Sequence, residues 1–93
     1  IKEGKDLDKV YSNAASYFSG MKDYKTAITY VDKSLKIKKA HPAMFTKANI
    51  LKAGGNNREA IKIAKEALEL AKEAESAGWA NYIEGNIKAW EKE

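Results

Sequence analysis

One histidine, no cysteine and thirteen carboxylates bound the chemistry open to this 93-residue chain. Acid–base or metal chemistry needs a second imidazole, a thiolate or converging carboxylates beside the first ligand. His41 stands alone and precedes Pro42, which places it at a helix end, where it caps rather than reacts. Glu66, Glu69 and Glu73 recur three or four residues from one another and from lysines, the spacing of stabilising charge pairs on a helix surface. Gly54-Gly55 has neither the preceding strand nor the Lys-Ser/Thr that a phosphate-binding loop requires. Ser12, Ser16 and Ser19 have no accompanying general base. Without Cys there is no disulfide, thiolate metal site or sulfur nucleophile. These residues describe no active site, so the expectation is a protein that is not an enzyme and takes no metal or cofactor.

What remains is surface and core. The chain is 44% hydrophobic and 32% charged with six Gly and a single Pro, a globular composition that excludes disordered and collagen-like classes. A single small domain of this size buries only about 60–65% of its unfolded surface, so its core is thin. The longest uncharged run, residues 10–21, is twelve residues and contains Ser and Asn, too short and polar to span a membrane. The chain begins at Ile1 without Met or a signal-like stretch, the expectation for a processed or excised piece of something longer. The compartment stays open between cytoplasm, bacterial envelope and secretion.

Charge is uneven: residues 1–21 are neutral, residues 22–52 carry +6 and residues 53–93 carry −2. A basic middle steers acidic partners, although solvated helix faces show the same pattern. Sixteen of the seventeen basic residues are Lys, which lacks the planar fork used for phosphate and base recognition and argues against nucleic acid.

Apolar residues recur at helical spacing throughout: Tyr11, Ala14, Ala15 and Phe18; Tyr24, Ala27, Ile28, Val31 and Leu35; Met44, Ala48 and Leu51; Ala60, Ile61, Ala64, Ala67 and Leu68; and Trp79, Tyr82, Ile83, Ile87 and Trp90. No stretch alternates with period two, so the fold class is all-α. Asp23 and Asn56 are placed to cap the helices after them, Asn56 with Glu59 as a capping box. Pro42 suits a first helical turn, and Gly78 suits a left-handed break. Five helices follow, near residues 6–20, 23–39, 42–53, 57–75 and 78–91.

Residues 23–28 align with residues 56–61 at an offset of 33, which also pairs Tyr11 with Met44, Ala15 with Ala48, Phe18 with Leu51 and Ala27 with Ala60. Large residues at the first of these places, small ones at the second and fourth, and a turn resembling Gly-Asp-Tyr are similar to the tetratricopeptide repeat family, over residues 9–74. Departures are Lys22 where Gly is expected, Asn57 where Tyr is expected, and a late Pro42. The resemblance implies antiparallel helix hairpins stacked as a right-handed α-solenoid: repeat 1 at residues 6–39, repeat 2 at 42–75 and a capping helix at 78–91, all in one domain. Trp79, Ile83, Ile87 and Trp90 form a stripe able to cover an apolar edge of Ile63, Ala67 and Leu70. Residues 60–90 also resemble helical tails of some bacterial envelope proteins.

The family resemblance implies a protein–protein interaction module that binds a peptide or partner protein in a concave groove. Carried over by position, the groove receives Lys9, Ser12, Asn13, Ser16 and Ser19 from the first helix and Phe45, Thr46, Asn49 and Lys52 from the third. Asn13 and Asn49 would hold peptide backbone, and Lys9 and Lys52 would favour acidic side chains or a carboxylate. Phe45 adjoins Met44, and either lies buried between repeats or serves as an aromatic anchor in the groove. Members that grip the terminal carboxylate of chaperones carry Lys and Asn where this chain has Ser12 and Ser16, and Asn where it has Thr46, so that ligand is not expected. Two alternatives stand beside groove binding. One is a structural or self-associating tail using Trp79, Tyr82 and Trp90, with a homo-oligomer as its product. The other is weak binding of acidic surfaces or nucleic acid through Lys33, Lys36, Lys38, Lys39 and Lys47.

Overall fold

The structure, a computed structural model, describes residues 7–93. The expected start of the first helix at residue 6 lies outside them. Five α-helices run in order: α1 Leu7–Gly20, α2 Tyr24–Ile37, α3 His41–Ala53, α4 Asn57–Glu73 and α5 Ala77–Glu91. Among the described residues there is no strand. The second and fourth helices end two residues earlier than expected, because Lys38 takes extended backbone and Glu75 takes positive φ.

Three turns share one geometry. After α1, α3 and α4 a residue takes positive φ: Lys22 at 66°, Gly55 at 92° and Glu75 at 56°. The next amide then reaches back five residues, from Asp23 to Phe18 and from Ser76 to Ala71 at 2.9 Å, and from Asn56 to Leu51 at 2.8 Å. This motif satisfies carbonyls that a helix end leaves unpaired. Lys22 therefore makes the turn that Gly55 makes one repeat later, although its Cβ disfavours the left-handed backbone. Gly78 is not the break expected of it. It lies inside α5, and Glu75 makes the turn.

Caps differ from expectation in the same local way. The Asp23 carboxylate accepts from the Thr26 amide at 3.3 Å, as a helix N-cap does. Asn56 makes no side-chain cap bond, so the capping box with Glu59 is absent. Instead the next residue, Asn57, donates from Nδ2 to the Trp90 carbonyl at 3.5 Å, tying the start of α4 to the end of α5.

Ala15 against Ala27, and Ala48 against Ala60, are fully buried, small enough for the two helices of each hairpin to approach closely. Ser34 is the buried polar exception, and its hydroxyl donates to the Asp8 carbonyl at 2.6 Å across the first hairpin. Val31 and Ile50 complete one cluster with Ala15 and Ala27. A larger cluster joins Met44, Phe45 and Ala48 of α3 and Ile63, Ala64, Ala67 and Ala71 of α4 to Ile83, Ile87 and Trp90 of α5, with Leu70 packed against it. Ile63 and Ala67 of the α4 edge share this cluster with α5, whereas Leu70 is half-buried and also lines the cleft at the α2–α3 junction. Trp79 departs from its expected place in that stripe: it is 37% exposed and turns toward α3.

Candidate protein-binding surface

α5 runs parallel to α3. Near its start the Trp79 ring meets His41 edge-on at 5.5 Å, and near its end Glu93 pairs with Lys52. His41 is therefore the first residue of α3 packed on an aromatic ring, not a cap; the cap position belongs to Ala40 and carries no side-chain bond.

Between these ends lies Phe45, 2% exposed. Its ring stacks on Trp90, centroids 5.9 Å apart and planes 8° from parallel, and meets Tyr82 and Trp79 edge-on at 5.4 and 6.5 Å. Phe45 is thus no accessible anchor, which corrects its place among the binding residues. Its neighbours take that position instead: Tyr82 is 56% exposed beside it. Helical spacing puts Trp79 and Trp90 in one stripe over α4, and the self-association alternative groups Trp79, Tyr82 and Trp90 as one end face. The structure separates them, burying Trp90 and leaving Tyr82 and Trp79 open beside α3.

The other expected groove residues fall into three groups. Lys9, Asn13 and Ser16 on α1 and Asn49 on α3 are exposed. Ser12 and Ser19 are half-buried, as is Thr46, whose hydroxyl donates to the Pro42 carbonyl at 3.0 Å and so spends its donor locally. Lys52 is engaged by Glu93, so the second of the two expected cationic ends is neutralised within the chain.

Lys9 and Ser12 also line a cleft of about 450 Å³ where the start of α1 meets the α2–α3 junction, together with Ser34, Lys38, Lys39 and His41. A second cleft, about 590 Å³, lies between α2 and α3 and gathers Lys33, Lys36, Lys39 and Lys47 around Met44. Asp32 sits in it and pairs with Lys47 at 2.8 Å. The Lys33 ammonium rests over the rings of Tyr11 and Tyr30, 5.7 and 5.5 Å from their centroids. Of the five lysines singled out in the basic middle, Lys38 lines the first cleft, Lys33, Lys36 and Lys47 line the second, and Lys39 lines both.

Against known protein families, two successive copies of the tetratricopeptide repeat match, over residues 8–41 and 41–73. The first spans α1 and α2, the second α3 and α4. The chain belongs to the tetratricopeptide repeat family. No curated protein and no solved structure matches it significantly. Tetratricopeptide repeats are helical hairpins that stack as a solenoid and serve protein–protein interaction, generally as non-catalytic scaffolds. In this tetratricopeptide chain α5 lies beyond both matched repeats. Among the described residues, no three His, Cys, Asp or Glu side chains converge as metal ligands, and no helix is long and apolar enough to cross a membrane.

Proposed function

We propose that the chain is a non-catalytic interaction module that holds an extended peptide or partner protein along the side formed by α1, α3 and α5. In this reading residues 7–93 act as one unit, with α5 capping the stack. The observation that carries it is that Tyr82 and Trp79 of α5 stand exposed against the Phe45 ring of α3, and that Asn49, one helical turn after Phe45, is exposed as well. An amide supplies both a donor and acceptors to a peptide backbone, and an exposed aromatic supplies contact area at small entropic cost. Asn13 and Ser16 would extend this surface over α1. Lys9, with Lys38 and Lys39 lining the same cleft, would favour acidic residues at that end.

The test is a peptide-display selection against the immobilised chain, followed by titration of a selected peptide into N49A and Y82A variants. Affinity should fall about tenfold or more, as loss of an interface hot spot does, while the thermal midpoints stay near that of the parent. Unchanged affinity in both variants would place the site elsewhere. The cleft of Lys33, Lys36, Lys39 and Lys47 favours a second reading, an acidic surface held between α2 and α3. A selected peptide that is released by K36A/K39A and not by Y82A would establish that reading instead. Self-association through Trp79 and Tyr82 is the third, and a concentration-dependent mass abolished by Y82A would establish it.

A further inference from the structure

Helix α1 carries more apolar surface than its hairpin uses. Tyr11, Ala15 and Phe18 pack inward, but Leu7, Val10, Ala14, Tyr17 and Met21 recur at three- and four-residue spacing on the adjoining face. Leu7 is 37% exposed, Val10 55%, Tyr17 65% and Met21 57%. Such spacing is that of the seam by which one helix packs against another. The seam is flanked by uncharged residues, Asn13 and Gly20 on one side, Tyr11 and Phe18 on the other.

The chain itself shows what covers this stripe elsewhere. At the 33-residue offset the same positions are Ala43, Lys47 and Ile50 on α3 and Ala40 and Gly54 at its two caps. Ala43 and Ile50 are buried, and Ile50 lies in the cluster that holds Ala27 and Val31 of α2. Lys47 pairs with Asp32 of α2, and a Cβ on Gly54 would sit 3.5 Å from the Tyr24 ring. On α5 the spacing returns as Ala80, Ile83, Ile87 and Trp90, packed with α4. The second helix of each hairpin thus covers this stripe on the helix that follows, and among the described residues only α1 bears it uncovered.

We propose that the α1 stripe is a second interaction surface, apart from the one around Asn49 and Tyr82, and that it takes an amphipathic helix of the kind α2 and α4 present: the second helix of a preceding hairpin repeat, packed as α2 packs on α3. A second copy of the chain has no such helix free, because its α2 lies on α3 and its α4 lies under α5. The outward residues of α5, Asn81, Glu84 and Lys88, are polar and exposed and do not match an apolar seam.

Fusing a duplicate of residues 41–73 ahead of Gly4 tests this, since residues 4–6 then separate an α4 copy from the start of α1 at Leu7 by three residues, as 38–40 separate α2 from α3 and 74–76 separate α4 from α5. The fused chain should be monomeric and unfold about 5 °C or more above the parent. V10E/Y17E should abolish that gain yet move the parent's midpoint by only about 2 °C, as exposed positions do. The proposal is overturned by a fusion without gain, by a gain that survives V10E/Y17E, or by a parent chain whose dimerisation depends on Val10 and Tyr17, which would give the stripe to a second copy. Should the fusion aggregate, a synthetic α4 peptide of residues 57–73 titrated into the parent chain decides: saturable shifts of the Val10 and Tyr17 amide resonances support the proposal, and none up to millimolar peptide overturn it.

Discussion

The ring of Phe45 lies against that of Trp90, 5.9 Å between centroids and 8° from parallel, so α5 closes over the position that would otherwise present an aromatic side chain to a partner. Trp90 is 7% exposed and Phe45 2%. Truncating a buried aromatic to Ala costs about 3–5 kcal/mol through lost transfer energy and an unfilled cavity. F45A and W90A should each lower the urea midpoint by a loss of that size. The double variant should lose less than the sum, since both remove one contact. Additive losses would mean that the rings stabilise separate parts of the chain.

Removing α5 altogether should have a larger consequence. A chain ending before Ser76 exposes Phe45, Ile63 and Ala67 together. Small domains hold only about 5–15 kcal/mol in all, so this loss should leave a loosely packed or aggregating product. Helix content would persist in far-ultraviolet dichroism while near-ultraviolet dichroism fades. A monomeric truncated chain with the parent's midpoint would show that α5 is dispensable to the stack.

Ala27 and Ala60 have no exposed surface, and each sits where the helices of its hairpin cross. Leu at either place adds three carbons to a closed gap and should cost about 1–3 kcal/mol by overpacking. Thermal unfolding of A27L and A60L measures it, and the equivalence of the two repeats predicts losses of similar size.

Lys22 holds the left-handed backbone at φ 66° that Gly55 holds at 92°. Gly carries no Cβ penalty in this conformation, whereas a side chain does, and the flexibility Gly adds to the unfolded chain offsets part of the difference. K22G should stabilise the protein by about 0.5–1 kcal/mol, and G55A should destabilise it by a comparable amount. Chemical denaturation of both variants checks the pair of opposite signs.

Lys52 and Glu93 form an ion pair on the surface, with side chains 24% and 56% exposed. Water screens such a pair, so K52A should alter stability by less than about 1 kcal/mol. Its effect belongs to charge: freeing Glu93 makes the Asn49 surface more acidic, and an acidic peptide bound there should lose affinity more at low salt than at high salt.

The all-α class, the 33-residue repeat and the Ala positions are legible from residue order alone, because helical periodicity and close helix crossing are properties of neighbouring residues on one face. Ile63 and Ala67 on α4 and Ile83, Ile87 and Trp90 on α5 were likewise legible as apolar stripes at helical spacing. Local turns were less legible. Lys22 and Glu75 adopt a backbone that composition assigns to Gly, because the hydrogen bonds to Phe18 and Ala71 outweigh a penalty of about 1–2 kcal/mol. The division of the aromatics came from long-range packing. Phe45, Trp79, Tyr82 and Trp90 are all apolar at helical spacing, and nothing in that spacing says which will be sealed. The parallel course of α5 beside α3 puts Trp90 over Phe45 and leaves Tyr82 at the rim. The candidate binding surface is therefore set by how two helices distant in sequence lie side by side, which no single stretch of residues encodes.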